Sequence, residues 1–342
     1  VMDYMETGFV AKFGEGGWQS TEIVLRDFNV IKEFTGDTIK MPGEKFLPEF
    51  LPALENHLKQ KGWLDKTYFH IADEPSNHNV MSWRKISDFV HRYAPSLKRL
   101  DAIEAANFFN RLEVWIPKLN LLDSWFDTFK RAQSQGYELW YYTAMSTNAY
   151  PNRFIDLPVI ESRIMRWLNY RFGLTGYLHY GYNHWSENSY KIMNHPRYGI
   201  GAHHIVYPKK DGVVNSIRWE QTRNGLQDYE YLWLLENKIQ KIKDRVGESL
   251  SWLDPKRRGV EIASRVIKDM DDFTRDPEVL YAAKKQIIDE IIDLDVSPRL
   301  IVQTDPMEGS KMTYGPAVLE LFGWTDAGTE ITANGKKLPV SF

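Results

Sequence analysis

The chain contains no cysteine. Disulfide bonds, thiolate metal sites and a cysteine nucleophile are therefore excluded, and the absence is compatible with cytoplasm, periplasm or secretion. No uninterrupted apolar run is long enough to span a bilayer. Charge is nearly balanced, 43 Lys and Arg against 46 Asp and Glu for a formal net charge of -3. That gives no electrostatic case for nucleic acid or for an anionic membrane. No glycine-rich phosphate loop follows the first strand, as an open doubly wound sheet would favour. No HExxH or similar ligand spacing accompanies His184, His203 and His204. Adjacent histidines on a strand point to opposite faces, so structural roles are expected for this pair. Ser146 in TAMSTN lacks the GxSxG elbow of a serine hydrolase. The chain opens at Val1 with neither an initiator Met nor a basic segment leading into an apolar one, so no signal peptide is visible. The termini suggest a piece of a longer protein.

Hydrophobic residues make up 43% and charged residues 26% of the 342 positions, a globular composition. Aromatics are abundant, with 12 Trp, 18 Tyr and 17 Phe. A large core accounts for most of them. Runs that mix aromatic with polar residues, ELWYYT (138–143) and YLHYGYNHW (177–185), suit a minority of them to a carbohydrate cleft, where flat sugar faces stack on rings.

Short strands alternate with helices along the first two-thirds of the sequence. Helical spacing over 46–61 ends at Gly62 and is followed by the strand TYFHIA (67–72). A helix is expected near 79–94, strands at 98–103 and 112–117, and a helix over 121–135. The strand YELWYYT (137–143), a helix near 157–173, the strand YLHYGYN (177–183), the apolar HHIVYP (203–208) and a helix near 225–241 follow. Such alternation implies parallel strands with helical crossovers. Functional-looking residues at strand ends suit a (β/α)8 TIM-type barrel, here expected to lack its first one or two strands. The expected boundaries are a barrel domain over 1–241, a helical extension over 242–297 and a truncated, Ig-like β-sandwich module over 298–342. In the last of these Asn334-Gly335 is a hairpin turn signal.

The sharpest feature is the acid pair Asp73-Glu74 in YFHIADEPSN (68–77). Taken alone, an Asp-Glu-Pro run reads as a helix cap or a surface turn rather than as a site. The apolar strand in front of it favours catalysis, because barrel enzymes keep their acids at strand C-termini. Pro75 is expected to push Glu74 toward extended angles, so that the two carboxylates diverge. Mutual repulsion is expected to raise one pKa and leave a general acid protonated near neutrality. A nucleophile-plus-acid pair on opposite sides of a scissile bond does not fit neighbours in sequence. A substrate that attacks itself with its own 2-acetamido oxygen does, since it needs one acid/base and one carboxylate to orient the acetamide.

Four tracts carry a resemblance: GWLDKTYFHIADEPS (62–76), YPNRFIDLP (150–158), GLTGYLHYGYNHW (173–185) and SIRWEQTRNGLQDYEYLWLLE (216–236). They are similar to glycoside hydrolase family 123, β-N-acetylgalactosaminidases, within the wider family catalogued as domain of unknown function 4091. The resemblance implies a barrel that removes terminal β-linked N-acetylgalactosamine with retention. It also implies that Asp73 orients the acetamide, that Glu74 is the general acid/base, and that the protein is secreted, periplasmic or on the cell surface. A glycan or glycoconjugate is the implied partner, with no cofactor and no metal. Oligomeric state is not legible. Candidate substrate-binding residues are Trp140, Tyr142, Tyr180, Asn183 and Trp185, with Tyr142 placed to hydrogen-bond the acetamide oxygen and Trp185 to stack on the sugar. Arg163 and Arg218 fit buried ion pairs to Asp156 or Asp228 as well as they fit function. Asp228 is expected to cap a helix start. The alternatives are a non-catalytic carbohydrate-binding barrel and a β-N-acetylhexosaminidase of other sugar preference.

Overall fold

A computed structural model describes residues 5–6, 8–32, 35–144, 149–191, 194–195, 199–307, 310 and 318–339. The chain divides into two compact units, Val1–Thr147 with Leu174–Tyr180, and Asn148–Gly173 with Gly181–Phe342. Ser146 lies outside the described residues.

The first unit is built on a parallel sheet. Its strands are β1 (Met5–Glu6), β2 (Thr67–His70), β3 (Lys98–Ile103), β4 (Val114–Pro117), β5 (Glu138–Tyr142) and β6 (Gly176–Leu178), hydrogen-bonded in that order. Five form the body and the two-residue β1 adds an edge. Helices α1 (Gly43–Lys61), α2 (Val80–Tyr93), α3 (Leu119–Ser124) and α4 (Phe126–Ser134) lie between strands in sequence. Crossovers of one hand between sequential neighbours stay on one face of a sheet, which then curls around its other face. Among the described residues β1 and β6 do not pair, so the sheet is open. The result is part of a (β/α) barrel, an α/β fold as the alternation implies.

Register aligns the inner face in layers. Tyr68, Leu100, Ala102, Val114, Ile116 and Tyr142 form one cluster, with Trp140 and Leu178 packed against it. The other face is also buried: Phe69, Ile103, Trp115, Leu139 and Tyr141 are closed off from solvent. Burial on both faces is why these strands read as continuous apolar runs. Glycine is demanded at Gly176, where a Cβ would sit 2.2 Å from the Trp140 indole.

Several elements differ from expectation. The helix expected over 121–135 breaks at Trp125 into α3 and α4, and the last sheet strand stops at Leu178. Beyond it Asn183 forms an antiparallel bridge with His204 in the second unit, so the run to 183 is not one strand. Two antiparallel hairpins, Ala11–Phe13 with Ile23–Leu25 and Asp27–Ile31 with Thr38–Pro42, occupy the N-terminal stretch.

The second unit is mainly helical. Its helices are α5 (Glu161–Phe172), α6 (Ile217–Val246), α7 (Arg257–Val266) and α8 (Pro277–Asp293). Helices α5 and α6 approach closely at Gly225, where a Cβ would lie 2.5 Å from the Arg163 carbonyl oxygen. Arg163 Nε bonds Asp228 Oδ2 at 2.6 Å, and Trp167 Nε1 and Lys284 also reach that carboxylate. Asp228 is therefore a buried ion-pair hub in mid-helix. It does not cap a helix start: that cap is Ser216, whose Oγ accepts the Trp219 amide. Arg218 donates to the carbonyls of Arg153, Gly201 and His204 and ties three loop segments together. Helix α6 continues unbroken through residue 241. From 298 on, the described residues form the antiparallel pair Leu300–Asp305 with Glu320–Thr325 and a small hairpin, Thr332–Ala333 with Lys336–Lys337. Asn334 and Gly335 turn that hairpin at positive φ, as Asn-Gly predicts.

Candidate active site

The acid pair sits where the β2–β3 ladder breaks. His70 pairs with Leu100, and pairing resumes only at the Ser76–Glu104 bridge. From His70 to Ser76 one strand takes six residue steps, while its neighbour takes four from Leu100 to Glu104. The excess is a bulge, and Asp73 and Glu74 lie inside it. Bulges re-aim side chains and gather beside active sites.

Glu74 has φ 45, a left-handed conformation. The extended angles expected from Pro75 are thus not adopted. For a residue with a Cβ the left-handed region costs about 1 kcal/mol or more. The surrounding hydrogen bonds hold it there. The Ala11 amide donates to the Ile71 carbonyl at 3.0 Å and the Glu104 amide to the Pro75 carbonyl at 2.9 Å. The Ser76 amide donates to Asn79 Oδ1 at 2.9 Å. The amides of Ile71 and Ala72 go to the Asp101 carboxylate at 3.0 and 3.1 Å. Tertiary bonds override the local preference of the residue before proline.

Register brings a row of side chains to the same level as the bulge. Ile103 pairs with Pro117 and Lys118 with Tyr142, so Glu104, Lys118 and Tyr142 end three successive strands side by side. Tyr142 donates its hydroxyl to Glu74 Oε1 at 2.7 Å. Lys118 Nζ stands 3.3 Å from Glu104 Oε1.

Burial pushes the Glu74 carboxyl up to about 7, helped by the charges of Glu104 and Asp73 and opposed by the Tyr142 hydroxyl and Lys118. Burial likewise pushes Asp73 up to about 6, with Arg26 pulling it down and Glu104 raising it. Desolvation leads in both, and the mutual repulsion expected for adjacent acids is a minor part. At neutral pH Glu74 is close to half protonated and Asp73 mostly ionised. Two carboxyls with separated pKa values are what an acid and a charge stabiliser require. Burial also pushes the Tyr142 phenol well above its ordinary range, so it stays a donor.

Of the other candidates, Trp140 is half-buried and anchored, with Nε1 donating to Glu138 Oε1 at 2.8 Å and its ring edge-on to Tyr68. One residue pair short of Tyr142 on the same face, it lies a layer below the acids. Tyr180 is 45% exposed and stacks on His179. Asn183 and Trp185 belong to the second unit, where Trp185 Nε1 donates to the Val206 carbonyl at 2.8 Å. Glu104, Lys118, Arg26 and Asp101 are site residues that sequence reasoning did not single out. Among the described residues no group of three His, Asp or Glu could hold a metal ion. A cavity of about 490 Å³ lies wholly in the second unit, lined by Leu235, Ile239, Arg257, Arg258 and Glu290 among others. Its Arg258 is already bound by Glu290 and Glu261, and it contains none of the acids described above.

Residues 26–235 match the family described as glycoside hydrolase 123, catalytic domain. The match spans more than half of the sequence and includes the whole acid cluster. The chain belongs to glycoside hydrolase family 123. A family 123 glycoside hydrolase from Clostridium perfringens, solved for the details of glycolipid glycan hydrolysis, shares the fold with a TM-score of 0.54 at 16% identity. The similarity covers 78% of this chain and 49% of that one, so the chain spans about half the length of the clostridial enzyme. A Thermobacillus composti GH10 xylanase matches with a TM-score of 0.28 at 9% identity, over 53% of this chain and 70% of its own. No curated protein matches the sequence. No helix among the described residues is long and apolar enough to cross a membrane.

Proposed function

We propose that this family 123 member removes terminal β-linked N-acetylgalactosamine by a retaining, substrate-assisted route. The observation that carries the reading is the bulge-borne pair, with Glu74 near 7 and held by Tyr142, and Asp73 near 6. In this scheme protonated Glu74 gives its proton to the glycosidic oxygen as the C1–O bond breaks. The substrate's acetamide oxygen forms a bond to C1 and closes an oxazolinium ring. Ionised Asp73 accepts the acetamide N–H and offsets the positive charge that develops. Glu74, now a carboxylate, takes a proton from the water that reopens the ring, returning the sugar with its original anomeric configuration. General acid catalysis of this kind is worth about 10²–10⁴ in rate. Tyr142 keeps Glu74 oriented, and its hydroxyl is placed to turn to the acetamide oxygen once substrate arrives.

The test is hydrolysis of aryl β-N-acetylgalactosaminides by the full-length protein and its Glu74→Gln and Asp73→Asn variants. With a poor leaving group both variants lose activity by about 10² or more. With a dinitrophenyl leaving group, which needs no proton, Glu74→Gln recovers its first step and Asp73→Asn does not. Full activity in both variants overturns the assignment. Binding of glycans without turnover would favour a carbohydrate-binding barrel.

A further inference from the structure

We propose that Asp101 is a positioning residue: its carboxylate takes the place of the missing strand partner at the bulge and so sets where Asp73 and Glu74 stand. The inference rests on the reading of that pair as the working acids.

Asp101 lies in the middle of β3, on the face opposite the acids, and is completely buried. A regular ladder past His70 would have used the backbone of β3. The bulge withdraws two amides, Ile71 and Ala72, from that ladder, and buried amides left unpaired are costly. Both donate to Asp101 instead. Oδ1 accepts from Ile71 and Ala72, and Oδ2 accepts from Ala72 at 3.1 Å and from Trp83 Nε1 at 2.5 Å. Trp83 belongs to α2, the helix that follows the acid loop, so one carboxylate joins strand, bulge and helix.

The chemistry of this site requires an acceptor-only group. Three N–H donors converge on it, and a carboxylate offers about four lone-pair positions with no hydrogen of its own. An amide can face Ile71 and Ala72 with its oxygen, but its NH2 then meets the Trp83 N–H. A hydroxyl has too little reach for three donors. All three donors are neutral, so the carboxyl is buried at a desolvation cost that an apolar side chain would avoid. A carboxylate at this position fits a demand for bulge geometry better than one for stability. Burial holds its pKa well above the usual carboxylate range and the Asp73 charge adds to the rise, while the Trp83, Ala72 and Ile71 donors pull toward the ionised form that their convergence on the carboxyl calls for.

The experiment compares Asp101→Asn, Trp83→Phe and the double variant. Backbone amide exchange is the first readout and does not depend on activity. In Asp101→Asn the Ile71 and Ala72 amides exchange at least about tenfold faster relative to amides in β3, and in the double variant they recover. Turnover of an aryl β-N-acetylgalactosaminide is the second. There Asp101→Asn loses kcat by about 10², the cost of an ångström-scale displacement of catalytic groups. Adding Trp83→Phe restores at least tenfold, because the amide no longer meets a second donor. The alkaline limb of the pH profile also rises in Asp101→Asn, since a displaced Glu74 loses the Tyr142 hydroxyl. Unchanged exchange at Ile71 and Ala72, or a loss of kcat with an unmoved limb and no rescue, overturns the proposal. If the wild type turns over no such substrate, the functional reading falls and the exchange readout still decides the clamp.

Discussion

Tyr142 donates its hydroxyl to Glu74 Oε1 at 2.7 Å, joining the end of β5 to the bulge after β2. The bond stabilises the charged form of Glu74 and is the strongest influence opposing burial on that group. Removing it has a defined sign. In Tyr142→Phe the Glu74 pKa rises further, so the alkaline limb of kcat/KM moves to higher pH while kcat falls about tenfold. A pH–rate series on both proteins checks it, and an alkaline limb that moves down refutes it.

The pair itself predicts a narrow bell. The proposed mechanism needs Asp73 ionised and Glu74 protonated, and these groups lie near 6 and near 7. The kcat/KM profile should peak at about pH 6.5 and fall on both sides, with limbs that belong to the coupled pair. A flat profile from pH 5 to 8 would contradict it.

Stability should carry the opposite mark of the same residues. The folded Glu74 pKa lies above its ordinary value of 4.5, at about 7. The folded state therefore holds this proton more tightly than the unfolded chain. Its contribution is fully present below pH 4.5 and is lost as pH rises through 7. Glu74→Gln removes the ionisation and should stabilise the protein by about 3 kcal/mol at pH 8, with little change at pH 4. Thermal melts of both proteins at the two pH values measure it. A variant less stable than wild type at pH 8 would be the contrary result.

Gly176→Ala should be poorly tolerated although the change is one methyl group. The new Cβ would meet the Trp140 indole at 2.2 Å, between β5 and β6. Overpacking of this kind costs about 1–3 kcal/mol. A fall in Tm with a shift in tryptophan fluorescence would report the displaced ring.

Asp228 tests the second unit independently of the acids. It is fully buried and held by Arg163, Trp167 and Lys284. Asp228→Ala strands a buried guanidinium and should destabilise by about 3–5 kcal/mol. Chemical denaturation gives the figure. Loss of activity without loss of stability would point to a direct role instead.

Much of the first unit is legible because its signals are local. The apolar strand before Asp73-Glu74 and the charges after it mark a barrel strand end. The same pattern recurs in LDAIE and VWIPK, and reading it there would have found Glu104 and Lys118. Asp101 is harder to see, because a charge inside an apolar strand looks like an interruption until Trp83 and the two amides are brought to it by the fold. Pro75 alone predicts an extended Glu74, but long-range bonds involving Ala11, Asp101 and Glu104 fix it at φ 45 instead. The substrate-binding candidates share an aromatic or polar character that sequence displays well. Their partners are another matter: the Tyr142 hydroxyl is on Glu74 and the Trp185 indole on a backbone carbonyl.

The bulge before Ser76 is even-numbered. Side chains along a strand alternate between its faces with a period of two. Two surplus residues leave the phase of the strand intact, so pairing with Glu104 resumes in step and only the intervening acids fall out of the alternation. Deleting Asp73 and Glu74 would thus be compatible with a continuous ladder and a folded sheet, and would remove the proposed acids without touching the rest of the hydrophobic pattern.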